Sequence, residues 1–193
     1  SSAASDVYKR QFVEAVKGML GHLKLGNPAD PTVVVGPLIR ESARQKTEQF
    51  VQIGIDAGAT LVCGGKRPAH LNRGFFHEPT LFDDVDNAST LAQEEVFGPI
   101  GVVIGFDSDE EAIRLANAST FGLSGAVMSA DRPTAFRMAM RLRTGGVAIN
   151  GGTGDFFVKA PFGGYKHSGI GRELGKDWLK EFLLEKSITY PIG

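Results

Sequence analysis

The order of elements between Gly101 and Asn150 restricts this chain most. "GVVIGF", Gly101 to Phe106, is a continuous apolar, β-branched run with the composition of a strand covered on both faces. A helix must follow at once, because Ser108 and Glu111 stand at capping-box spacing, each side chain accepting from the other residue's backbone N–H. "LSGAVMS" reads as the next buried strand, Asp131 caps a helix carrying Phe136 and Met140 one turn apart, and "GGVAIN" is a further strand. Strand, helix, strand, helix, strand with short connections implies right-handed crossovers. The fold expected is therefore α/β, a mainly parallel sheet covered by helices.

Elements on either side are less regular. From Gln11 to Leu25 the residues Phe12, Ala15, Val16, Met19, Leu20 and Leu23 fall at the spacing of one helix face. "GNPADPTVVVGPLI" is a Gly/Pro loop with a short extended run at Val33 to Val35, and a second helix is expected from about Glu41 to Ala57. "ATLVCGG" reads as a buried strand. The tail differs: a Gly-rich segment from Gly151 to Gly171, a helix carrying Leu174, Trp178, Phe182 and Leu183, and then "KSITYPI". That last run has strand composition but no neighbour in sequence to pair with, so it either adds to a remote edge or leaves the subunit. The division expected is an α/β body over 1–150 and an appendage of loop, helix and strand over 151–193.

Charge excludes several partner classes. Lys and Arg total 21 against 22 Asp and Glu, which leaves no basic field for nucleic acid and no acidic tail. One cysteine, Cys63, excludes an internal disulfide framework, and four scattered histidines give no zinc spacing, so no metal is expected. No apolar run approaches the ~20 residues of a membrane span, and no signal peptide opens the chain. A soluble, cytoplasmic protein acting on a small molecule or another protein fits these facts. "SSAASDVYKRQF" lacks an initiator Met and runs straight into a helical pattern, as expected of a chain cut from something larger.

Two motifs carry chemistry. In "QEEVFGPI", Gln93 to Ile100, an extended segment would point Glu95 and Phe97 to one side and Glu94 to the other. Pro99 fixes its own φ and pushes Gly98 out of the helical region, holding the segment extended. A carboxylate so presented can accept two hydrogen bonds from a vicinal diol such as a ribose, with the neighbouring ring packed on the attached base. The plainer reading is two solvated glutamates and a core phenylalanine.

In "APFGGYKHSGIGREL", Ala160 to Leu174, four glycines permit close approach of another chain or ligand. Leu174 stands where the third glycine of G-x-G-x-x-G would be, so the dinucleotide fingerprint fails here. Cys63, at the end of an apolar strand, reads as a buried structural thiol. His167 beside Lys166 reads as a surface residue.

Together with "GPLI", "AGATLVCGG", "GFFHEPTLF", "STFGLSGAVMSAD" and "KSI", these two motifs resemble, in order and spacing, the carboxyl-terminal part of the NAD(P)-dependent aldehyde dehydrogenases, from about Asp6 to the end. The resemblance implies that the intact protein oxidises an aldehyde to a carboxylic acid with NAD or NADP. The route is a cysteine thiohemiacetal and thioester. It implies that Glu95 binds the nicotinamide ribose, that Phe97 flanks the nicotinamide, and that Lys46 lies near the adenosine ribose, although Ala43 stands where the family carries glutamine. It makes Asn150, Phe156 or Phe157, and Phe162 residues of the substrate tunnel.

In the family it resembles, the nucleophilic cysteine, the general-base glutamate and nearly all of the cofactor domain precede the part represented here, so no catalytic residue is expected in this chain. The final strand is expected to join a partner subunit in a homodimer or homotetramer. Without the cofactor domain, Trp178 and Phe182 should be poorly covered. A CoA-acylating or semialdehyde dehydrogenase of the same superfamily, or a non-catalytic structural or binding protein that retains the fold, are the alternatives.

Overall fold

A computed structural model describes residues 2–152 and 157–193. The chain divides into two compact units, Ser1–Asp107 and Ser108–Gly193.

The first unit contains helices α1 (Ser2–Gly21), α2 (Glu41–Asp56) and α3 (Thr90–Gln93), and strands β1 (Thr60–Cys63), β2 (Thr80–Asp83) and β3 (Ile100–Val102). Its sheet runs β1-β2-β3, antiparallel across the first pair and parallel across the second. The core is the meeting of α2, β2 and α3. Phe50 and Val51 pack with Phe82, Val85 and Leu91, and Ala59, Val96, Ile100 and Ile104 lean on this cluster.

Burial falls on strands other than those singled out by composition. β2, the middle strand, is the covered one, with Phe82 fully buried and Leu81 3% exposed. β1, expected to be buried, is an edge strand whose Leu61 is exposed and whose Val62 and Cys63 are only half-buried. "GVVIGF" is a strand only through Val102, and Gly101, Val102 and Phe106 are exposed rather than covered on both sides. An apolar run records only that a segment can be covered; position in the sheet decides whether it is. Helix α1 begins earlier than expected and stops at Gly21, and its face is rotated. Val13 is buried with Val16 and Leu20 beside it, whereas Phe12 and Met19 are exposed.

The second unit holds α4 (Asp109–Asn117), β4 (Phe121–Gly122), β5 (Ser124–Val127), α5 (Arg132–Ala139), β6 (Gly146–Ile149) and β7 (Tyr165–Lys166). Here the expected order of elements forms, but "LSGAVMS" is not the buried strand expected: Val127 is buried, whereas Ser124 and Ala126 are exposed and Leu123 and Met128 are 44% and 78% exposed. β5 and β6 pair in parallel from Ser124↔Gly146 to Val127↔Ile149, with α5 between them in sequence and packed on both. Ser108 accepts from the Glu111 N–H and Asp131 from the Thr134 N–H, so both expected N-caps form. The expected C-terminal helix shrinks to a 3₁₀ turn, Trp178–Phe182, and Leu174 lies outside it at φ 61°. Trp178 and Phe182 meet edge-to-face at 5.7 Å, yet are 41% and 75% exposed. Among the described residues, 183–193 pair with no strand. A short helix is held mainly by a packed apolar face, and these side chains are only partly covered among the described residues.

His77 is 1% exposed. Its Nδ1 lies 2.9 Å from the Glu78 carbonyl, and Nε2 has no partner among the described residues. Burial holds the imidazole below its ordinary pKa, opposed by the Glu78 carbonyl and the Glu48 and Glu78 charges; Arg44 of α2 adds to the lowering. The unfolded chain therefore binds a proton here that the folded chain refuses. The corresponding stability is complete above the ordinary histidine pKa of about 6.5 and is lost as pH falls below it through the folded value. Glu48, whose carboxyl is lowered chiefly by its hydrogen bond from Arg67, contributes only at more acid pH. Urea midpoints should therefore fall between pH 7.5 and 5.5 in the parent chain and fall less in His77→Gln. Equal declines in the two proteins would contradict this account.

Candidate functional site

The segment "QEEVFGPI" connects α3 to β3, and both ends are fixed. At the start, Ser89 caps α3 by accepting from the Ala92 N–H, and the Glu94 N–H closes the helix on the Thr90 carbonyl. At the end, the Thr80 N–H donates to the Pro99 carbonyl at 2.8 Å, which places Ile100 opposite Thr80 in the β2–β3 ladder. Between them the chain alternates in burial. Val96 leans on the core, whereas Glu95 and Phe97 are exposed.

The segment is not the simple extended run expected. Phe97 has φ 52°, in the left-handed region, so strict alternation of side chains cannot be carried through it. A non-glycine residue held there costs on the order of 1–3 kcal/mol and persists only where its surroundings impose it. They do so here. Gly98 sits so close to Thr47 of α2 that a Cβ on it would lie 2.3 Å from the Thr47 hydroxyl oxygen. Thr47 cannot easily give way, being fully buried and donating its hydroxyl to the Ala43 carbonyl at 2.9 Å. Its immediate neighbour in α2, Lys46, donates through Nζ to the Glu95 carbonyl at 2.6 Å and lies 5.5 Å from the Phe50 ring centroid.

The result is a corner that faces solvent with one carboxylate and one ring. The Glu95 side chain has no hydrogen-bond partner among the described residues. Phe97 is 78% exposed, which removes the reading of that ring as core.

The residues expected at a substrate tunnel lie in the second unit and are held separately. Asn150, at φ 50°, follows β6, and its side-chain amide closes a two-bond clasp on Ser129, accepting from its N–H at 2.9 Å and donating to its carbonyl at 3.0 Å. Phe162 exchanges backbone hydrogen bonds with Glu173 at 2.7 Å each way, and its ring borders a cleft of about 310 Å³ with Leu123 and Phe182. Phe157 is 63% exposed. Phe156 lies outside the described residues.

Sequence reasoning missed what the Gly-rich segment packs against. Its glycines approach their own chain: a Cβ on Gly164 would fall 2.5 Å from Ser168. Arg172 ties the segment by donating to the Gly164 and Gly171 carbonyls and stacks 5.1 Å over Tyr165, while Lys166 donates to the carbonyls of Asn117 and Ser119. A basic residue amid glycines is the only signal of this that the sequence carries. Cys63 is half-buried rather than buried, on a groove of about 780 Å³ that Lys17, Lys24 and His70 also border. His167 is exposed, as read. Among the described residues no group of His, Cys, Asp or Glu converges as a metal site, and no helix is long and apolar enough to cross a membrane.

A profile of the Aldehyde dehydrogenase family matches residues 3–188. The chain belongs to that family. It is 46% identical over 188 residues to betaine aldehyde dehydrogenase of Bacillus subtilis, covering 95% of this chain and 38% of that protein. Geranial dehydrogenase of Castellaniella defragrans is 40% identical over 183 residues, with 95% and 37% covered. Among solved structures, the Mycobacterium tuberculosis aldehyde dehydrogenase complexed with NAD+ superposes with a TM-score of 0.89 at 45% identity, covering 95% of this chain and 38% of that one. A Staphylococcus aureus betaine aldehyde dehydrogenase in complex with NAD+ gives 0.86 at 45%, with 91% and 35% covered. The chain thus spans about 38% of the length of the first of these relatives. Its fold is the α/β fold of an aldehyde dehydrogenase over that part.

The tight seat of Gly98 makes the corner sensitive to a single methyl group. Gly98→Ala should destabilise the chain by about 1–3 kcal/mol in urea unfolding, the usual cost of overpacking a filled site. Unchanged stability would show that Thr47 can move and that the corner is not held from below.

Proposed function

We propose that this chain supplies the nicotinamide-side corner and part of the substrate tunnel of an aldehyde dehydrogenase that oxidises an aldehyde to a carboxylic acid with NAD or NADP. The observation that carries the reading is the fixed corner itself, an unpaired Glu95 carboxylate beside an exposed Phe97 ring, on a backbone that would not adopt a left-handed turn unaided. The donor set fits a dinucleotide. A carboxylate accepts from two vicinal ribose hydroxyls, an exposed ring offers a flat apolar face, and Lys46 still has two ammonium donors to present. NAD+ in both neighbouring structures reported above supports the same group here.

The dinucleotide, when bound, accepts the hydride. On this reading Glu95 orients its sugar, Phe97 limits where the ring can lie, and Lys46 belongs with the cofactor-binding residues, near the adenosine ribose in the family resemblance. Asn150, Phe156 or Phe157, and Phe162 line the route taken by the aldehyde. The nucleophilic cysteine that forms the thiohemiacetal and thioester comes from outside this chain, and the C-terminal run "KSITYPI" joins a partner subunit in a homodimer or homotetramer in the cytoplasm. Residues 1–150 then belong to the catalytic domain and 151–193 to the loop and oligomerisation appendage.

In the intact protein, Glu95→Gln should weaken dinucleotide binding by roughly tenfold or more, since charge-assisted hydrogen bonds to the sugar are lost. Unaltered binding and turnover would contradict the role given to Glu95. The 193-residue chain by itself should show no dehydrogenase turnover; activity that survives Cys63→Ala would place a nucleophile where this reading has none.

A further inference from the structure

The proposed function leaves open why the left-handed turn at Phe97 holds, and α2 supplies the answer. Ala43, Lys46, Thr47 and Phe50 stand at i, i+3, i+4 and i+7, so they share one face of that helix. The inner part of the face is sealed. Phe50 belongs to the core cluster, and Thr47 is fully buried and bonded back to Ala43. Lys46 is exposed at the rim. Its ammonium lies near the Phe50 ring and donates to the Glu95 carbonyl, 49 positions along the chain.

A lysine on a helix surface ordinarily keeps its head in water. Here the head instead grips the peptide carbonyl two residues before the strained φ, while its neighbour Thr47 receives Gly98 immediately after it. Successive residues of one helix therefore bracket Phe97 from both sides.

We infer that Lys46 is a positioning residue: its ammonium, fixed on the Glu95 carbonyl, holds the Glu95–Gly98 corner in its left-handed turn and so sets where the Glu95 carboxylate and the Phe97 ring point. The consequence for a dinucleotide rests on the function proposed above, whereas the clamp itself does not. A hydrogen bond to a carbonyl uses one of three ammonium donors, so gripping the corner and meeting a ligand are compatible. Lys46 then acts on the cofactor largely through Glu95 and Phe97, and removing its charge should disturb groups that it does not itself carry.

The test compares Lys46→Met, which keeps an apolar stem for Phe50 but lacks the ammonium, with Lys46→Arg, whose guanidinium can donate to the same carbonyl. In the 193-residue chain labelled with ¹³C at the Glu95 carbonyl, that resonance should shift in Lys46→Met and return in Lys46→Arg, with the Phe97 and Gly98 amides moving in step. A role limited to packing of the stem would leave the carbonyl resonance of Lys46→Met in place, and that result overturns the inference. NAD+ titrated into the intact protein should bind about tenfold more weakly in Lys46→Met and recover in Lys46→Arg. A shifted carbonyl with unchanged NAD+ affinity upholds the clamp and sinks the cofactor reading instead. Weakened affinity with an unshifted carbonyl makes Lys46 a direct ligand and not a clamp.

Discussion

The contact between Gly98 and Thr47 is the constraint from which the site follows. Thr47 occupies the sealed face of α2, so the loop that passes over it must bring a residue without a side chain, and only glycine meets that condition. With Gly98 seated and Pro99 tied to Thr80, the preceding residues have little freedom. Val96 turns into the core, and Phe97 takes a backbone conformation unfavourable to it, with its ring in solvent. An exposed aromatic ring on a strained backbone contributes nothing to folding that a smaller residue could not. Strain that folding does not need is the mark of a place where the ring's position matters.

The two units differ in which polar groups they leave free. The corner of the first unit presents free groups, whereas Asn150 in the second has committed its amide to Ser129 and Phe162 is fixed by Glu173. The polar groups of Asn150 thus define the end of the β5–β6 pair, and what it can offer a substrate is shape. In the corner, by contrast, polarity is available because the main chain is satisfied by other residues: Lys46 at Glu95, Thr80 at Pro99 and Thr90 at Glu94.

Legibility from sequence followed how local each determinant is. β5, α5 and β6 were readable because their caps and apolar runs lie within a few residues, and the Ser108 and Asp131 caps form as expected. The burial of β2 over β1 was not, since it depends on which strand lies in the middle of the sheet, a fact about pairing partners 18 to 23 residues apart. In the site, Glu95 and Phe97 could be picked out from their spacing and their family pattern. The turn at Phe97 could not, because its cause lies in Thr47 and Lys46, about 50 positions away on another element. The tail failed for the complementary reason. "ELGKDWLKEFLLEK" has helical apolar spacing, but among the described residues its apolar side chains are poorly covered, and a 3₁₀ turn at Trp178–Phe182 forms in place of the helix.

The most direct test of the account is a crystal structure of the intact protein with its dinucleotide bound. The account requires both Glu95 carboxylate oxygens within hydrogen-bond distance, about 2.7–3.2 Å, of the nicotinamide ribose hydroxyls, with Phe97 still left-handed beside the nicotinamide. A dinucleotide seated elsewhere, with Glu95 in solvent and the corner relaxed to an extended strand, would contradict it.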